Sequence, residues 1–173
     1  MMNLSDLDDR FRDAGAVPET SALPASALPQ PYRRLLAHCD HMTVTVERFH
    51  GDAVDVQVLH AEREGSVYRR RILLRLSKSR RVVQFGMVEV DLGCLPADAA
   101  EEILNQGKPL GRVLIEHDVL RIIEPVGFFR TSWPQAWSET ATTETYGRLG
   151  IIWSGGKEAV RVAEILTPIA ESE

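Results

Sequence analysis

The sequence predicts an α+β domain built on one mainly antiparallel sheet of about six strands, with short helices clustered between them. Three observations lead there. Alternating segments such as Val54-Asp55-Val56-Gln57-Val58 are separated by short polar turns, as in hairpins rather than βαβ crossovers. Helical periodicity occurs only in short runs bounded by Gly or Pro. A chain of 173 residues, 44% hydrophobic and 26% charged, is large enough to bury one sizeable core.

Taken in order, Leu4, Leu7 and Phe11 recur at helical spacing, Ser5 and Asp8 suit a capping box, and Gly15 ends the turn. Residues 16–31 carry Pro18, Pro24, Pro29 and Pro31 among Ala and Ser, which reads as an extended linker. Residues 1–30 are therefore an N-terminal arm and 31–170 the domain; the arm either wraps the domain or is disordered. Leu35, Leu36 and Cys39 predict a short helix over 32–39, and Asp40-His41-Met42-Thr43 a break. A second helix is expected over 43–50, capped by Thr43 and stopped by Gly51. Strands follow at 54–58, at 67–76 and at about 81–91, with turns at 62–66 and 77–80. Pro96 opens a helix over 97–106 with Gly107 as its stop, and 109–115 starts another. Residues 119–124 are strand-like, and 127–145, rich in Ser and Thr and carrying Trp133 and Trp137, read as a long loop or lid. A final hairpin joins 148–153 to 159–166 through Ser154-Gly155-Gly156-Lys157.

Composition excludes several function classes. The formal net charge is −5, and no Lys/Arg block is long enough for a nucleic-acid footprint. No segment approaches the roughly 18 apolar residues of a membrane span. Cys39 and Cys94 are too few for a disulfide scaffold and read as buried, reduced structural thiols. The polar, acidic start is unlike a secretory signal, so a cytoplasmic protein is expected. His38, His41 and His50 lack helical metal-ligand spacing and an accompanying Glu, so no metal is expected. No phosphate loop follows Gly107, and no nucleophile elbow is present.

The chemistry-bearing feature is a pair of charges on faces that should be apolar. In a strand over 67–76, Tyr68, Ile72, Leu74 and Leu76 share a face with Arg70. Near the end of the chain, Val160, Val162 and Leu166 share a face with Glu164. An unpaired buried charge costs far more than packing returns. Arg70 and Glu164 therefore either pair with each other or meet a polar ligand. An inward guanidinium matches a carboxylate bidentately, and an inward carboxylate can accept a hydrogen bond from a hydroxyl or move a proton.

Four segments, Asp40-His41-Met42-Thr43, Arg70-Arg71-Ile72-Leu73-Leu74, Lys108-Pro109-Leu110-Gly111-Arg112 and Ala163-Glu164-Ile165-Leu166-Thr167-Pro168, resemble the chorismate pyruvate-lyase family in order and approximate spacing over about residues 28–168. The resemblance implies an antiparallel sheet whose helical flaps enclose the ligand. It also implies a carbon–oxygen lyase that splits chorismate into 4-hydroxybenzoate and pyruvate without metal or organic cofactor. By motif, Arg70 would bind the ring carboxylate and Glu164 would face the ring hydroxyl, both as catalytic groups. Met42 and Leu110 would contact the ligand from the flaps, and Arg112 would either anchor the pyruvyl end or lie on the surface. The implied partner is a small aryl or cyclohexadienyl carboxylate, with neither nucleic acid nor membrane, acting on a monomer or weak homo-oligomer. The arm and the 127–145 segment have no counterpart in the family pattern, so a related chorismate-derived acid is an alternative substrate. A second alternative is a non-catalytic sensor domain of the same fold, although residues 1–30 are too short for an attached DNA-binding domain.

Overall fold

The computed structural model describes residues 20–133 and 144–169. The domain is α+β, with one open antiparallel sheet of seven strands: β1 (Ser21–Leu23), β2 (Val54–Glu64), β3 (Val67–Leu76), β4 (Val82–Asp91), β5 (Arg121–Ser132), β6 (Glu144–Ser154) and β7 (Lys157–Leu166). Their order across the sheet is β1-β5-β6-β7-β4-β3-β2. Short helices α1 (Tyr32–Leu36), α2 (Met42–His50), α3 (Ala97–Leu104) and α4 (Leu110–Glu116) complete the described elements, with 3-10 turns at Ala25–Ala27 and Leu92–Cys94.

The hairpins follow from local sequence. Gly155 and Gly156 adopt φ of +57° and +77°, the pair of left-handed residues that a two-residue turn between twisted strands requires. Register then sets the inner face. Arg70 stands opposite Val88, which stands opposite Val162, which stands opposite Gly150. One row along, Ile72, Gly86, Glu164 and Arg148 align; the next row is Leu74, Gln84 and Leu166.

Two pairs of helices cover this face. Leu35, Leu36, Met42 and Val46 of α1 and α2 bury against Ile72, Leu74 and Leu166. Ala99 and Ile103 of α3, and Leu110, Val113 and Leu114 of α4, bury against Tyr68, Val88 and Val160. The i, i+3, i+4 spacing on α4 places three side chains on one stripe, each contributing about 1.5–3 kcal/mol on full burial. A third cluster, including Leu73, Phe85, Phe129, Trp133 and Ile165, lies on the opposite face.

Several sequence expectations need correction. The sheet has seven strands because the arm contributes β1, whose Ser21–Leu23 pair with Arg130, Phe129 and Phe128, and Leu28 is buried with α1. Residues 20–30 thus pack on the domain, while the expected helix near Leu4 lies outside the described residues. The 127–145 segment is not a loop throughout: β5 runs to Ser132, β6 starts at Glu144, and Trp133 is fully buried. Pairing with a distant strand overrides its Ser/Thr-rich composition; Trp137 lies outside the described residues. β2 continues to Glu64, leaving only Gly65-Ser66 as the turn. Thr43 is not the cap of α2 but its second residue, the cap position being His41 with no side-chain bond. The left-handed residue after α3 is Gln106, not Gly107. Of the two thiols, Cys39 is exposed and Cys94 half-buried.

Candidate functional site

Arg70 is 2% exposed, and its guanidinium makes a single hydrogen bond, from Nη2 to the Lys108 carbonyl at 3.2 Å. Its Nε and Nη1 are buried with no partner. No carboxylate pairs with it among the described residues. Burial pushes its pKa below the usual arginine range, with neighbouring Tyr68 opposing.

The two charges do not pair with each other. Glu164 is bonded instead by Arg148, Nε to Oε2 at 2.7 Å, with side-chain exposures of 2% and 14% for Arg148 and Glu164. The two strands that carry Arg70 and Glu164 flank β4, and the residues are offset by two along it. Ordinary strand spacing and rise then put their Cα atoms roughly 12 Å apart. Between them the floor is Gly86, where a Cβ would come within 3.2 Å of Ile72 Cδ1.

Arg148 also ties the sheet to the first flap. Its Nη1 donates to the Leu36 and His38 carbonyls at 3.3 and 3.0 Å, and its Nη2 to the Asp40 carbonyl at 3.1 Å. The 37–41 connection is thereby pinned immediately before Met42. His38 adds to it: Nε2 donates to the Leu35 carbonyl at 2.7 Å, and Nδ1 accepts from the Asp40 N–H at 3.0 Å. His41 is buried, and its Nε2 accepts from Arg121 Nε at 2.6 Å. Burial first, then the charges of Arg121 and Arg148, hold its pKa down at about 4, against a smaller opposing effect of Asp40.

The second flap is set by α3 and α4. Lys108, whose carbonyl receives Arg70, extends its ammonium to Glu102 and Glu116. His117 lies between Glu102 and Asp98, and those two carboxylates raise its pKa. These pairs are largely exposed, so they fix geometry more than they add stability. The two flaps meet at Gly111, where a Cβ would lie 3.0 Å from Thr43 Oγ1 and 3.1 Å from His41 Cβ. The glycine of Pro-Leu-Gly-Arg is thus needed for the close approach of α4 to α2. Arg112 joins the same contact through Nη2 and Glu47 Oε2.

Between the flaps and the sheet lies a cavity of about 40 Å³ lined by Arg70, Glu164, Gln84, Met42, Leu110 and their neighbours. Larger concavities exist, an open groove of about 740 Å³ beside Leu120 and Ile122 and one of about 270 Å³ beside Phe49. Neither is lined by a buried charge, whereas the small cavity holds Arg70 and, from the Gln84 side chain, an unpartnered amide oxygen. Of the residues expected from sequence, Arg70, Glu164, Met42 and Leu110 converge on this cavity. Arg112 does not: it is a flap-to-flap clamp. Arg148 and Gln84 escaped the sequence reading, yet each carries the signal that exposed Arg70, a polar residue among apolar ones of the same parity. Arg148 aligns with Gly150 and Ile152, and Gln84 with Val82 and Val88. Among the described residues no group of three His, Cys, Asp or Glu side chains is placed to hold a metal, and no helix is long and apolar enough to cross a membrane.

No family model and no curated protein matches this chain. Among solved structures, the gene product SA0254 from Staphylococcus aureus subsp. aureus N315 is similar, with a TM-score of 0.50 and 8% identity over 76% of this chain and 90% of that one. At that identity the likeness concerns the fold alone.

Proposed function

We propose that the cavity binds a small aryl or cyclohexadienyl carboxylate, and that the protein is a chorismate lyase or a close relative of that cytoplasmic class of enzyme. The observation that carries this reading is Arg70, a fully buried guanidinium with two nitrogens unpartnered, lining a cavity between the flaps and the sheet. A ligand carboxylate supplies both the counter-charge and the missing acceptors. Glu164 stands at the far end of the same floor with Oε1 free of the Arg148 contact, placed to accept a hydrogen bond from a ring hydroxyl.

The chemistry suits this layout. The ring C–O bond to the enolpyruvyl group breaks, the neighbouring C–H loses its proton, and the electron pair completes an aromatic ring. The departing enolate takes a proton on carbon and becomes pyruvate. Aromatisation supplies the driving force, so the protein need mainly orient the substrate and stabilise developing charge. The residues here provide position: Arg70 holds the carboxylate, Glu164 the hydroxyl, and Met42 and Leu110 close over the ring. Engineered cavities that take benzene measure about 150 Å³, so the 40 Å³ space has to widen before a ring enters. The α2 and α4 flaps must part, and their motion would limit turnover.

One observation favours a second reading, binding without turnover. Arg148 engages Glu164 directly, an arrangement suited to orienting a hydroxyl rather than carrying a proton away. Incubation with chorismate separates the two. Release of pyruvate and 4-hydroxybenzoate in equal amounts, abolished by Arg70→Ala, supports the lyase. Absence of turnover with 4-hydroxybenzoate binding that Arg70→Ala weakens about 10- to 100-fold supports the sensor and removes the lyase. If neither turnover nor Arg70-dependent binding occurs, the aryl-carboxylate reading falls.

A further inference from the structure

Gln84 is 3% exposed, lines the cavity, and buries its Oε1 without a hydrogen-bond donor. Its cross-strand neighbours are Leu74 and Leu166, neither of which can donate. Within its own strand, the inner-face neighbours are Val83, across a bulge, and Gly86, which offer no side-chain donor either. Arg70 is no partner: it stands opposite Val88, four residues along β4 from Gln84. Glu164, opposite Gly86, is the diagonal neighbour of Gln84 on the adjacent strand, a separation of about 7–8 Å. A carboxylate cannot donate to an amide oxygen. The floor therefore has one cationic end, at Arg70, and two acceptors side by side at the other, Glu164 Oε1 and Gln84 Oε1.

We infer that Gln84 reads a second hydrogen-bond donor on the ligand, so that the site takes a ring carboxylate carrying two neighbouring donors, such as adjacent hydroxyls, at the end remote from the carboxylate. Glu164 accepts from one and Gln84 from the other. This inference rests on the reading of the cavity as an aryl-carboxylate site and narrows its ligand class: chorismate and 4-hydroxybenzoate offer one ring hydroxyl each, so it favours a close relative of the lyase, acting on a different ring acid, over chorismate lyase itself. A buried acceptor discriminates strongly, because a ligand without the matching donor leaves it unpaired.

The test is calorimetric titration of the full chain with 4-hydroxybenzoate and 3,4-dihydroxybenzoate, in the wild type and in the Gln84→Leu, Gln84→Met and Arg70→Ala variants. The expected result is about tenfold tighter binding of the dihydroxy acid by the wild type, reduced to within about twofold in either Gln84 variant. Equal affinity of the wild type for the two acids overturns the inference, and that comparison stands even if both variants misfold. So does a preference that survives in Gln84→Leu or Gln84→Met. In either case Arg70-dependent binding leaves the broader reading intact. If neither acid binds the wild type, or Arg70→Ala binds them equally well, the broader reading fails and takes this one with it.

Discussion

Replacing Arg148 with Met tests the polar frame of the site. Arg148 is 2% exposed and holds Glu164 Oε2 at 2.7 Å together with the carbonyls of Leu36, His38 and Asp40. Methionine fills much of the same volume without a charge or donor. It strands a largely buried carboxylate and removes the donor from three backbone acceptors. Breaking one side of a buried ion pair costs about 3–5 kcal/mol, and the neutral carbonyls, two of them only part-buried, add less. The expected loss is about 4 kcal/mol. For a domain of this size that corresponds to a fall in melting temperature of about 8–16 °C. Adding Glu164→Gln removes the stranded charge and should recover about 2 kcal/mol, since much of the penalty belongs to the uncompensated ion. Urea unfolding followed by tryptophan fluorescence reads both quantities. Hydrogen exchange at residues 38–41 should rise in the single variant as the connection loses its anchor. A loss below about 1 kcal/mol, or a double variant no more stable than the single, would refute the assignment of Arg148 as the organiser of Glu164 and the flap.

Two further outcomes follow from other contacts. His41 titrates at about 4 in the folded chain, against 6.5 as its ordinary value. At this residue the native state thus binds fewer protons than the unfolded chain, so its contribution to stability is present above pH 6.5 and falls as the pH drops towards 4. By pH 5 the loss should be about 2 kcal/mol, read from urea midpoints. His41→Asn should flatten that slope; an unchanged slope would exclude His41 as its source. Separately, a Cβ at residue 147 would lie 2.5 Å from Phe129 Cζ and 2.6 Å from the Glu164 carbonyl oxygen, whereas one at residue 127 would meet nothing nearer than 3.7 Å. Gly147→Ala should therefore cost at least about 1–3 kcal/mol and Gly127→Ala well under 1 kcal/mol. Equal effects in chemical denaturation would contradict the packing around β6.

The amino-acid sequence by itself determined which side chains could share a face. Arg70 and Glu164 stood out because strand parity repeats every two residues and needs no knowledge of neighbours. The same local rule, applied to Val82-Val83-Gln84 or to Tyr146-Gly147-Arg148, marks Gln84 and Arg148 as well. Turn chemistry was legible too, at Gly51 and at Gly155-Gly156, because a left-handed residue is a property of a few adjacent amino acids. Only the tertiary structure decided which charge answers which. Arg148 reaches Glu164 because β6 lies beside β7, while β4 separates β7 from Arg70. The same holds for Arg112, drawn to Glu47 by the packing of α4 on α2, and for residues 127–132, made a strand by β6 on one side and β1 on the other. Parity belongs to a short stretch of backbone; partnership belongs to the register between segments far apart in the chain, and that is set by the burial of the whole sheet.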